Sequence, residues 1–300
     1  MAKFTASTMY DSVTAASEGD ASGPERSIGS IIAETRHLSA EQVERILAYQ
    51  RDKGIRFGEA AVALGMASND DVMFALAQQF NYPYAPEEQR KANPELVTLN
   101  RPFGAQAESF RAIRTQLSMR LANEGKERRA LAVVSPDSGD GKTFFAANLA
   151  IALAQVGGRT LLMDADLRHP RQHQVFGIDN AAGLSGILSG RVEPKVIQPA
   201  PGVPGLYLLP VGATPPNPLE LVERPAFNLL MRELLSKFDH VVVDTPAGCY
   251  GSDSAVIAAR CGAALVMARK DQGRVAALQD LVANLAETPA VVVGVVYNEF

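Results

Sequence analysis

The segment Ser135-Pro136-Asp137-Ser138-Gly139-Asp140-Gly141-Lys142-Thr143 restricts the fold of this chain more than any other. The apolar run Leu131–Ser135 before it reads as a strand, and residues 142–156 after it read as a helix. Gly-Lys-Thr between a strand and a helix is the setting of a phosphate-binding loop. Gly139 and Gly141 let backbone N–H groups turn toward an anion. The helix opening at Lys142 aims its positive end at the same point. In that reading Ser138, Gly139, Asp140, Gly141, Lys142 and Thr143 bind ATP, with Lys142 at the β- and γ-phosphates and the Thr143 hydroxyl on magnesium. Pro136 stands where the usual pattern begins with glycine.

Around this loop, β-branched runs alternate with helical stretches. Strands are expected at Leu131–Ser135, Thr160–Met163, Leu206–Pro210, His240–Val243, Ala264–Ala268 and Val291–Val296, with helices at about 142–156, 217–237, 252–261 and 272–287. That order predicts an α/β fold, a doubly wound and mostly parallel sheet of the P-loop NTPase type. Ligands of such sheets bind beyond the carboxyl ends of the strands. Two strands become acidic at that end: Met163-Asp164-Ala165-Asp166 and Val243-Asp244-Thr245-Pro246. Triphosphate chemistry needs carboxylates to position magnesium, so Asp164 and Asp244 join Thr143 as candidate metal residues. The alternative is three solvated loop carboxylates.

Residues 1–25 are rich in Ser, Thr, Ala and Gly without periodicity and read as a disordered tail. A helical repeat domain is expected over 26–82. Gly29 and Gly58, Val43 and Val72, Leu47 and Leu76, and Gln50 and Gln79 all share one offset. Ser39 and Ser68, each followed by acidic residues, are helix starts. Each unit is then a short helix, a turn and a longer helix, and the two must pack together to bury their apolar faces. The proline-rich stretch 83–104 reads as a linker, followed by one amphipathic helix over Ala105–Leu121 and a second domain spanning 105–300.

The charge balance, 29 Lys plus Arg against 33 Asp plus Glu, leaves a net charge of -4 and argues against nucleic acid as the main partner. Two separated cysteines, Cys249 and Cys261, suggest a reduced compartment and buried structural roles. No apolar run reaches the ~18 residues of a membrane span, and no secretory leader is evident, so a cytoplasmic protein is expected.

The loop at 135–143, the run Met163-Asp164-Ala165-Asp166-Leu167-Arg168 and the run Val243-Asp244-Thr245-Pro246 together resemble the three Walker-type motifs of the bacterial tyrosine kinases. Gly183-Leu184-Ser185-Gly186-Ile187-Leu188 and Pro215-Pro216-Asn217-Pro218-Leu219-Glu220-Leu221 resemble further segments of that family. Glu108, Arg111 and Arg114 resemble its E-x-x-R-x-x-R oligomerisation motif. The layout is similar to the chain-length-determinant kinases of the EpsG type. The resemblance implies ATP- and magnesium-dependent tyrosine phosphorylation that regulates exopolysaccharide chain length, polymerisation or export. It also implies a homo-oligomer recruited to the inner membrane by a membrane-anchored chain-length-determinant protein. It makes Lys142, Asp164 and Asp166 the catalytic set, adds Asn298 to the ATP-binding residues, and has Asp244 orient the metal. Without the family, Glu108 and the arginines read instead as an exposed face carrying an i,i+3 ion pair. The alternative function is a partner-regulated ATPase of the MinD/ParA kind, or an ATP-binding module without transfer. Those ATPases carry a lysine early in the loop, where this chain has Asp137. The family's terminal tyrosine cluster has no counterpart at Val296–Phe300; Tyr297 is expected to be packed, so the acceptor is expected in a partner, with Tyr10 in the tail as a further candidate, or the domain binds ATP without transferring it. The repeat domain resembles the N-terminal domain of type II secretion ATPases. Arg56, Phe57 and Gly58 there offer two readings, a cyclic di-GMP site or a docking module.

Overall fold

The computed structural model describes residues 27–79, 93–121, 128–191 and 195–299. The expected tail at 1–25, Tyr10 within it and the first part of the expected linker lie outside these residues. The chain divides into two compact units, Met1–Asn81 and Tyr82–Phe300.

The first unit consists of α1 (Ile28–Thr35), α2 (Ala40–Lys53), α3 (Phe57–Ala63) and α4 (Asn69–Gln79). The repeat is visible in its caps. Ser39 and Gln42 exchange side-chain and backbone hydrogen bonds at the start of α2, and Ser68 and Asp71 do the same at the start of α4. Ile31, Ile32 and Ala75 form one small core; Ile46, Ala60 and Ala61 form another. On α2 the deeply buried residue is Ile46, whereas Leu47, expected on the packed face, is exposed. Arg36 donates through Nε to the buried carboxylate of Asp71 at 2.7 Å, tying α1 to α4.

The second unit carries a seven-stranded sheet of order β3-β4-β2-β5-β1-β6-β7. Its strands are β1 (Ala130–Val134), β2 (Thr160–Asp164), β3 (Gln198–Pro199), β4 (Leu206–Leu209), β5 (His240–Asp244), β6 (Gly262–Arg269) and β7 (Val291–Asn298). All pairings are parallel except the short edge strand β3, which runs antiparallel to β4. Helices α5 (Val97–Asn100), α6 (Ala105–Leu121) and α7 (Lys142–Ala154) precede or follow β1, and α8 (Gln172–Phe176) and α9 (Leu184–Leu188) lie after β2. Helices α10 (Pro218–Glu223), α11 (Pro225–Lys237), α12 (Asp253–Cys261) and α13 (Val275–Ala286) complete the layers. Two apolar clusters cover the faces of the sheet, one built on Leu161, Met163, Val241 and Val243, the other on Leu131, Val133, Leu162 and Val242. The alternation within each strand assigns odd and even residues to opposite layers.

Two expectations need correction. Residues 93–104 are not a linker: Leu96 and Leu99 are buried, and Asn148 of α7 accepts from the Thr98 N–H and donates to the Glu95 carbonyl. The prolines of this stretch hid apolar residues that the second core takes up. The single helix expected over 217–237 is two, because Arg224 is extended before Pro225, which opens α11.

Candidate functional site

Chain order reverses at β1. Its neighbour β5 leads toward β2 on one side, and β6 leads to β7 on the other. A crevice for a ligand forms at such a switch point, and the loop 135–141 occupies it. Lys142, only 7% exposed, donates through Nζ to the Ser135 hydroxyl at 2.9 Å, and that hydroxyl donates to the Asp137 carbonyl. Asp140 is also buried; its carboxylate accepts the Asp137 N–H at 3.0 Å and so braces the loop from inside. Gly141 has φ 95°, and a Cβ there would collide with the Asn298 amide. Asn298 in turn donates to the Asp140 carbonyl at 3.0 Å, and Arg269 donates to the Gly139 carbonyl at 3.2 Å. Asn298 thus meets the loop from the end of β7.

On the other side of the loop, Asp164 and Asp244 are register partners at the ends of adjacent strands. Both are buried. Asp164 accepts from the backbone N–H groups of Asp166, Arg171 and Gln172, so its carboxylate pins the loop after β2. Burial, with the neighbouring Asp244 charge, holds the Asp164 carboxyl well above the ordinary carboxylate range. Burial also raises Asp244, to about 6, against the opposing pull of Lys142 and of hydrogen bonds from Thr143 and Gln172. Asp166 is half-exposed, and its Oδ1 accepts the N–H groups of Arg168 and His169.

Several contributors carried no sequence signal. Gln172, at the start of α8, donates through Nε2 to Asp244 Oδ2 at 2.9 Å and to the Thr143 carbonyl at 3.1 Å. Arg168 donates to both carboxylate oxygens of buried Asp253, linking the loop after β2 to α12. The turn Gly248–Tyr250 is bonded to the phosphate loop, Gly248 N–H to the Ser135 carbonyl and Cys249 N–H to the Pro136 carbonyl. These partners are far apart in sequence and follow no fixed spacing.

Asp244 Oδ1 and Gln172 Oε1 are buried and have no hydrogen-bond partner. Together with the Thr143 hydroxyl they present hard oxygen donors of the kind a small divalent cation takes. Among the described residues no cluster of three or more His, Cys, Asp or Glu side chains forms a cage of its own.

The remaining expected residues are distributed as follows. Glu108 is exposed and pairs with Arg111 at 2.7 Å; Arg111 also donates to the Pro102 carbonyl, and Arg114 to the Ala152 carbonyl. Both arginines therefore reach groups of their own chain. In the first unit, Gly58 is packing glycine, since a Cβ would come within 2.8 Å of the Val72 side chain. Phe57 lies against Gly29, and Arg56 is exposed. Tyr297 closes β7 but is 58% exposed rather than packed, because alternate residues of this edge strand face outward. Cys249, expected to be buried, is exposed on its turn, while Cys261 is buried. No helix among the described residues is long and apolar enough to cross a membrane.

Residues 131–300 match the family model described as the CobQ/CobB/MinD/ParA nucleotide binding domain. The chain is 33% identical over 180 residues to the tyrosine-protein kinase wzc of Salmonella typhimurium, covering 60% of this chain and 25% of that protein. It is 37% identical over 155 residues to the tyrosine-protein kinase CpsD of Streptococcus agalactiae, covering 51% of this chain and 66% of that protein. It thus spans less than two thirds of the length of either relative. Among solved structures, the kinase domain of Escherichia coli tyrosine kinase ETK superposes with a TM-score of 0.65 at 31% identity, over 70% of this chain and 81% of that one. Fold, loop geometry, paired carboxylates and these likenesses together mean that the chain belongs to the CobQ/CobB/MinD/ParA nucleotide-binding family and, within it, to the bacterial tyrosine kinases.

Proposed function

We propose that this chain is an ATP- and magnesium-dependent protein tyrosine kinase that regulates the chain length, polymerisation or export of an exopolysaccharide. The observation that carries the reading is the register pairing of Asp164 with Asp244 beside a phosphate loop holding a buried lysine. The Gly139–Thr143 backbone and Lys142 bind the phosphates, and Ser138 and Asp140 shape the loop. Thr143 and Asp244 hold the magnesium, with Asp164 behind them fixing the loop. Bound there, the ion neutralises charge that develops on the transferring phosphoryl group. A cavity of about 360 Å³ lined by Phe110, Phe144, Met267, Tyr297 and Asn298 opens beside the first turn of α7 and suits an adenine base.

A tyrosine hydroxyl has a pKa near 10 and must lose its proton as the new bond forms. Asp164 is buried and committed to three N–H groups, whereas Asp166 is half-exposed. Asp166 is therefore the better placed base. A membrane chain-length-determinant protein as activator, a homo-oligomer using the α6 face, and a cytoplasmic site recruited to the inner membrane follow from the family resemblance. For the Arg56-Phe57-Gly58 segment docking is preferred over cyclic di-GMP, because the first repeat has Ser27 where the second has Arg56.

The test is incubation with labelled ATP, magnesium and a peptide matching the cytoplasmic tail of the membrane partner, beside Lys142→Met. Label on tyrosine that is lost in Lys142→Met supports the kinase. Phosphate release without labelled tyrosine points to a partner-regulated ATPase instead.

A further inference from the structure

Gln172 is 2% exposed, and its side-chain amide lies between two parts of the nucleotide site. Its Nε2 donates to Asp244 Oδ2 at 2.9 Å and to the Thr143 carbonyl at 3.1 Å. Both partners are acceptors, so the orientation of the amide is settled by chemistry: turned over, its oxygen would oppose two oxygens. Its Oε1 is consequently fixed as well, and it has no hydrogen-bond partner, like Asp244 Oδ1. A buried amide oxygen left unbonded is destabilising, and two such oxygens at one place indicate donors that arrive with a ligand. A hydrated divalent cation supplies water O–H groups to oxygens of this kind.

We propose that Gln172 is a positioning residue for the cation. Its amide N–H fixes Asp244 against the first turn of α7, and its oxygen accepts a hydrogen bond from a cation-bound water. The inference rests on the nucleotide-site reading but not on phosphoryl transfer. Groups just outside the coordination sphere typically change metal affinity by about 10- to 100-fold when removed.

The test is the affinity of a fluorescent ADP analogue for the full-length protein, titrated with magnesium and in EDTA, for wild type, Gln172→Leu and Gln172→Asn. Leu fills the space without polar groups; Asn keeps the amide but is one methylene too short to span both partners. The expected result is a rise of about 10-fold or more in the magnesium concentration at half effect in both variants. Affinity in EDTA is expected to fall by a clearly smaller factor than affinity in magnesium, a split that a general packing defect would not produce. Thermal melting identifies a variant that does not fold, in which case the other decides. An unchanged magnesium midpoint, or equal losses with and without magnesium, overturns the proposal. Wild-type binding that ignores magnesium overturns both the proposal and the site reading. Normal magnesium response in the variants overturns the proposal alone.

Discussion

At the residue scale the site is defined by two carboxylates buried side by side with one lysine near them. Without a bound cation, Asp244 is raised to about 6 from an ordinary value of 3.8, mainly by burial. The sign of the consequence is fixed by linkage. Between these two values the folded chain binds more protons than the unfolded one, so this group's contribution to stability falls as pH rises through that window. Asp244→Asn imitates the protonated form. The nucleotide-free variant should therefore melt several degrees above wild type at pH 8, corresponding to at most about 3 kcal/mol. The difference should vanish as pH falls well below 3.8. Scanning calorimetry in EDTA checks this, and equal melting temperatures at pH 8 would show that Asp244 is not strained. Lys142, Thr143, Asp164 and Asp244 were all legible in the sequence because strand, loop and acid occur in a fixed local order. Gln172 and Asp253 were not, because their roles depend on which distant residues the fold brings to them.

At the element scale, the phosphate loop is held from both sides by partners that local sequence does not reveal. Gly141 combines φ 95° with the close approach of Asn298 from β7. Gly141→Ala should push Asn298 away and strain the turn by roughly 1–3 kcal/mol. A loss of at least about tenfold in ADP affinity by calorimetry is expected on the same ground; unchanged affinity would mean that the loop geometry is not needed for binding. In the helical repeat, Asp71 caps α4 through Ser68 and accepts from Arg36. Burial alone would raise its pKa, but the Ser68 and Arg36 bonds prevail and lower it. Its stabilising effect is thus complete above 3.8 and is lost as pH falls below that value. Asp71→Ala should cost the first unit about 2 kcal/mol at pH 7 and progressively less as pH falls below 3.8, as read by urea unfolding. The repeat offset and the serine caps could be read in advance. The buried face of α2 could not, since Ile46 and Leu47 are adjacent and only tertiary packing chooses between them.

At the scale of the whole molecule, the α/β class and the parallel sheet follow from the order of motifs, as does the place of the candidate site. Prolines misled the reading of 93–104, where Leu96 and Leu99 join the second core. The edge strand β3 has only two residues, too few for any periodicity to announce it. The account stands on a nucleotide seated over Gly141 with its cation between Thr143 and Asp244. The most direct measurement is a crystal structure of the protein with magnesium and a non-hydrolysable ATP analogue. The cation should be bonded to the Thr143 hydroxyl, with Asp244 in contact directly or through one water and Lys142 Nζ released from Ser135 to the phosphates. A nucleotide seated elsewhere, or a cation remote from both Thr143 and Asp244, would contradict it.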